Sequence, residues 1–284
     1  MSILKIAIKI LGVSVLATIV YVIGSAVLPF SESFREAMQN SDPINLVYLL
    51  FVHVWLTGSV YYIGKNAEWK GSFFIGLLFY TYVGIYSVMT QIETIFFQDT
   101  FDILSKYDGW WIMLANVFPL IVIVPLASKI RNNRLSKENL KINIRPGTIL
   151  QKVAFLAVLY MVIYFLFGYF VAWQFTDLRL FYTGSPEKES FLSIMAGNIQ
   201  NSSIVPFQLL RGILFSIFIL PVVFIFREKR KELFISLILI YTSTAIVLII
   251  PNSLFPDTVR WAHFIEMISS MSLFSLLTWL VWRN

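Results

Sequence analysis

The chain has no cysteine among its 284 residues and only two histidines, His53 and His263. The first absence excludes disulfides, thiolate metal sites and a cysteine nucleophile, and it says nothing about redox compartment. The second leaves little for a metal site in a helical bundle, which normally draws on two or more Glu-x-x-His pairs. Charge is scarce as well: 13% of residues are Asp, Glu, Lys or Arg, where a soluble domain carries about a quarter. No nucleotide cradle of the G-x4-G-K-[ST] or G-x-G-x-x-G kind is present, and GSFFIG at 71–76 has the glycine spacing without the lysine. H-E-x-x-H and G-x-S-x-G are also missing.

Apolar length fills the chain instead. Hydrophobic residues make up 58% of it, with a mean hydropathy of +0.76. Runs long enough to cross a hydrocarbon core of about 30 Å recur throughout. They fall near 6–28, 44–63, 72–96, 110–128, 149–173, 205–226, 233–251 and 261–282. These runs predict an all-α integral membrane protein, a polytopic bundle of eight transmembrane helices in one domain. The first run follows two lysines, as a signal peptide does, but it is long for one and VIGSAVLPF is a poor cleavage site, so an uncleaved helix is expected.

The connecting charges orient the bundle. With the N-terminus in the cytoplasm, sixteen of the 22 lysines and arginines fall on inside segments, including Arg131, Arg134, Lys137 and Lys141 of the longest one. Only Arg35, Lys106, Arg179, Lys188 and Arg260 fall outside, and Arg211 lies within a span. Positive-inside asymmetry therefore predicts that both termini are cytoplasmic. It also accounts for the net charge of +6, which would otherwise suggest nucleic acid. No nucleic-acid partner is expected, and the location expected is a plasma or inner membrane. Trp110, Trp111, Trp173 and Trp282 stand at interfacial positions as belt anchors.

Outside the spans, EKESFLSIMAGNI can lie as a short amphipathic helix or remain a loop. The tripeptide NSS at 201–203 fits a glycosylation acceptor, a pattern too short to carry weight. Pro125 with Arg131 and Arg134 repeats in Pro221 with Arg227 and Arg230, but these helices are not counterparts in a four-plus-four duplication. A transporter-type repeat is not supported.

The polar residues inside the spans collect at one depth. Arg211 lies about 9 Å into its span and Glu266 about 7 to 8 Å into the last, at 1.5 Å per residue. Glu93, Asn116, Gln91, Gln208 and His263 fall in the same layer, while His53 sits nearer the midplane. Arg179 and Arg260 lie at the outer boundary, where Arg260 can reach headgroup phosphates. Intramembrane charge normally faces a partner, the bundle interior or a water-filled cavity. Singly, each residue reads as structural: Arg211 paired with Glu93 or Glu266, and Asn116 and the glutamines as interhelical glue. As a group they exceed what a register lock requires, which points to a site.

His263 and Glu266, three residues apart, can face one cavity. With Glu93 they suit acid–base chemistry, while Arg211, Arg260, Arg179, Gln208, Gln91 and Asn116 suit the holding of a polar or anionic group. The same three donors form only a weak metal set, no metal is expected, and no cofactor is indicated. The ligand expected is a membrane lipid, or a lipid-linked or anionic small molecule. An enzyme acting on it at the outer leaflet and a non-catalytic sensor or subunit stand level. A transporter would need polar residues through the inner half of the bilayer, where they are sparse. Oligomeric state is not written in these residues.

Overall fold

A computed structural model of the protein describes residues 2–130, 145–200 and 203–283. It is all-helical, with 81% of residues in helix and no strand among those described. Eight segments are long and apolar enough to span a membrane, and their ends agree with the sequence-predicted runs to within four residues. The protein is a multipass membrane protein. Arg131, Arg134, Lys137, Lys141 and the first two residues of NSS lie outside the described residues.

In chain order the helices are α1 (Ile3–Ala26), α2 (Glu32–Gln39), α3 (Asn45–Asn66), α4 (Gly71–Tyr82) and α5 (Met89–Phe96). Then come α6 (Asp108–Ala115), α7 (Val117–Ala127), α8 (Pro146–Phe170), α9 (Thr176–Thr183) and α10 (Phe191–Gln200). The chain ends with α11 (Ile204–Ile225), α12 (Arg230–Tyr241), α13 (Ser243–Ile246) and α14 (Asp257–Trp282). Eight crossings return the last helix end to the face where the first begins. We call this the terminal face and the opposite one the loop face, which carries α2, α9 and α10.

The helices pack by apolar contact around Leu56, Ile63, Leu78, Ile85, Phe215 and Phe274, all buried. α8 packs against α11 and α14, and α3 against α1 and α7. Two backbones approach closely at Gly212 of α11, where a Cβ would stand 2.7 Å from Ala157 Cα and 2.8 Å from its carbonyl oxygen. α1 lies at the periphery, with Ile3, Leu4, Ile8 and Ile23 exposed on the face that lipid would cover. Side-chain hydrogen bonds hold it to α3: Ser14 Oγ donates to Thr57 Oγ1 at 3.0 Å, and Thr18 Oγ1 meets His53 Nδ1 at 2.8 Å. His53 is thereby placed as interhelical glue, with its Nε2 buried and without a partner.

At the terminal face, basic side chains close carbonyls that helix ends leave open. Lys152 Nζ donates to Val281 O at 2.6 Å, and Lys70 Nζ to Ala67 O at 2.8 Å. This is the favourable end for cations, because the C-terminal carbonyls of a helix carry partial negative charge.

Three of the described spans are interrupted well inside their length, and hydropathy alone does not reveal it. Between α4 and α5 the chain widens into a π-turn, Val83–Val88. Between α6 and α7 the break falls at Asn116, three residues before Pro119, which cannot donate to the Ala115 carbonyl. Between α12 and α13 it falls at Thr242, where the hydroxyls of Thr242, Ser243 and Thr244 each donate to a carbonyl in the last turn of α12. Pro125 and Pro221, by contrast, lie within continuous helices.

Candidate functional site

The π-turn explains how Glu93 reaches the interior. On an unbroken α-helix Glu93 would point about 100° away from Phe74, the buried residue that starts the inward face of α4. A π-turn absorbs one extra residue, which returns Met89 and Glu93 to that face. Gly84 makes the turn packable, since the Phe218 ring occupies the space where its Cβ would be.

Opposite Glu93 stands Arg211 of α11. Its Nη2 lies 2.8 Å from Glu93 Oε2, and its Nη1 donates to Gln208 Oε1 at 3.0 Å. Rings surround the guanidinium: its central carbon lies 5.6 Å from the Tyr160 centroid, 5.7 Å from Tyr164 and 5.8 Å from Phe207. Tyr160 and Tyr164, four residues apart, share one face of α8 and present both rings to the same cation. The ion pair is lopsided in exposure. The Arg211 side chain is 3% exposed and that of Glu93 31%.

α14 brings the other two members. His263 Nε2 meets the Tyr182 hydroxyl of α9 at 3.0 Å, and its ring stands edge-on to that of Tyr182. Burial, and after it the charges of Glu93 and Glu266, raises the Tyr182 phenol above its ordinary value, so the hydroxyl keeps its proton. Glu266 lies one turn further along. Among the described residues the ion pairs are Arg211–Glu93, Lys229–Glu68 and Arg260–Asp257, so Glu266 is in none of them. The sequence offered it Arg211 as a partner, but that guanidinium is taken up by Glu93.

These groups line the lower part of a cavity of about 1040 Å³. It runs from Asp42 and Asn252, exposed at the loop face, to Glu93, Arg211, Ser270 and Met271. Aromatic and aliphatic side chains make most of its wall, among them Tyr21, Phe97, Tyr160, Tyr164, Trp173 and Met267. The surface helices contribute too, through Phe34 and Met38 of α2 and Ile194 and Met195 of α10. α2 is fixed by Asp108 at the start of α6, which accepts from Ser31 N at 2.9 Å and from Ser105 N at 2.7 Å. Every spanning helix that contributes does so from its loop-face end, so the cavity is one-sided.

Of the nine residues singled out in the sequence, Glu93, Gln91, Asn116, Arg211, His263 and Glu266 line this cavity. Gln208, fully buried, supports Arg211 from behind. Arg179 and Arg260 do not reach it, because chain atoms occupy both guanidinium groups. Arg260 Nη1 donates to Leu248 O at 2.8 Å and Nη2 pairs with Asp257 Oδ1 at 2.7 Å, closing the open carbonyls where the seventh span ends. Only 3% exposed, it does not sit at a headgroup surface as expected. Arg179 donates to Trp173 O at 2.7 Å and Pro186 O at 2.8 Å, bracing the connection around α9. Nor do Glu93, His263 and Glu266 gather as metal ligands: no cluster of three or more His, Cys, Asp or Glu suited to a metal occurs among the described residues.

Sequence reasoning missed Tyr160, Tyr164 and Tyr182. The i, i+4 spacing of the first two was a usable signal, but the chain holds 13 tyrosines and nothing marks these above the rest. Comparison of the chain with protein-family models, with curated proteins and with solved structures finds no match.

Proposed function

We propose that the protein binds a lipid or lipid-linked molecule in this cavity, with the polar end of the ligand at the Glu93–Arg211–Glu266 layer and its chain along the aromatic wall. By the positive-inside distribution the loop face is extracytoplasmic, which makes this an outer-leaflet site in a plasma or inner membrane. One observation carries the reading: a cavity at the upper end of the range for small-molecule pockets joins apolar walls to a charged floor. The surface helix α10 suits it as well. Leu192 and Ile199 are exposed on it, as on a helix lying in a membrane interface. The one-sided cavity counts against transport across the bilayer.

Native mass spectrometry of gently extracted protein tests this. The wild-type protein is expected to retain a lipid-sized species, and Met267→Trp, which fills the wall, to lose it while remaining folded. Equal retention by both proteins, or none by the wild type, would sink the proposal.

Catalysis on that ligand is a second reading, favoured by Glu266 outside any ion pair and a histidine one turn away. Glu266→Gln keeps the size of the side chain and removes its charge. Species of different mass held by wild type and Glu266→Gln would mark turnover; identical masses would mark binding alone.

A further inference from the structure

The lining of the cavity fixes the sign of what it can hold. Among the described residues that line it, Asp42, Glu93 and Glu266 contribute three carboxylates, and Arg211 is the one guanidinium against them. Accessibility widens this imbalance. The cation is sealed, at 3% exposure, behind Glu93, Gln208 and three rings. Its Nε has no partner, but that atom is covered, as is the unpartnered Nδ2 of Asn116, so neither donor is open to a ligand. Glu93 remains 31% exposed, and Glu266 is half-buried on the cavity wall. Arg179 and Arg260, the two arginines expected from the sequence to hold an anion, are taken up by chain atoms elsewhere.

The walls agree with the floor. Tyr160 and Tyr164 already face one buried cation through their rings, and Trp173 and Tyr182 stack nearby with centroids 6.3 Å apart. Aromatic faces attract organic cations and do nothing for phosphate. An anionic headgroup lowered into this cavity would meet Glu93, already paired with Arg211, and the carboxyl of Glu266, with no second guanidinium or ammonium among the described lining residues. A protonated amine would meet Glu266, which has no ion-pair partner, beside rings suited to it.

We propose that the cavity selects a positively charged amphiphile, an alkylated amine or ammonium headgroup on a long chain, with Glu266 as the group that receives the charge. This rests on the lipid-cavity reading and adds to it the charge of the headgroup.

Binding to purified full-length protein in neutral-lipid nanodiscs distinguishes the two, with radiolabelled tetradecylamine, tetradecyl phosphate and butylamine as probes. Tetradecylamine is expected to bind at least about tenfold more tightly than tetradecyl phosphate. Glu266→Gln should weaken tetradecylamine binding by about tenfold, and Glu266→Asp should restore part of it. Met267→Trp should abolish binding of the long-chain amine. Preference for tetradecyl phosphate, or indifference of tetradecylamine to Glu266→Gln in a protein that still loses it with Met267→Trp, would overturn the charge assignment and leave the lipid cavity standing. Butylamine binding as tightly as tetradecylamine would overturn the lipid reading, and with it the amphiphile proposed here.

Discussion

Glu93→Ala is expected to destabilise the protein by about 3–5 kcal/mol, and Arg211→Met by clearly less. The two partners of this ion pair are not equivalent. Removing Glu93 strands a guanidinium that is 3% exposed and is left with Gln208, three rings and the more distant carboxyl of Glu266, which forms no ion pair with it. A buried charge without its counter-ion carries its desolvation cost uncompensated. Removing Arg211 leaves a carboxylate that is 31% exposed on the cavity wall, where water or a ligand can take it up. The double variant Glu93→Gln/Arg211→Met, with no charge to bury, should recover most of the loss. Thermal unfolding of the three variants in one detergent checks the order. Equal losses for the two single variants would show that the pair is solvated alike on both sides, against the sealed geometry described.

Gly212→Val is expected to be as damaging for an unrelated reason. The missing side chain at residue 212 lets α11 lie against α8 so closely that a Cβ would stand 2.7 Å from Ala157 Cα and 2.8 Å from its carbonyl oxygen. Both are backbone atoms, so no rotamer change can make room. The helices would have to separate. Overpacking of a core typically costs about 1–3 kcal/mol where side chains can shift, and this contact exceeds that case. Because α8 carries Tyr160 and Tyr164, separation would also draw those rings off Arg211. Gly58→Val is the control, since nothing lies within 4 Å of a Cβ at that glycine. A protein with Gly212→Val that extracts and melts like the wild type would refute the close approach.

How much of this was legible beforehand follows from what each feature depends on. The spans were, because a run of twenty apolar residues needs no partner to declare itself; hydrocarbon leaves a backbone little option but helix. The depth of the polar layer was legible for the same reason, as rise per residue converts position into height. Direction around the helix axis was not. Glu93 faces inward only because a π-turn lies between it and Phe74, and Arg260 turns away from the surface only because the seventh span ends in open carbonyls beside it. Depth is a local quantity, and azimuth sums every irregularity before it.

The sequence by itself determined that TVRWAHFIEMISS would put a histidine and a glutamate into the last helix at the level of an arginine and a second glutamate. It determined the helical class and the number of crossings, since both are counted along one chain at a time. Only the tertiary structure decided which acid takes the arginine. Glu93 does, because α5 packs against α11 at that level. That choice leaves Glu266 facing the cavity outside any ion pair, and pairing between helices is settled by how they are turned toward one another, which composition and spacing do not encode.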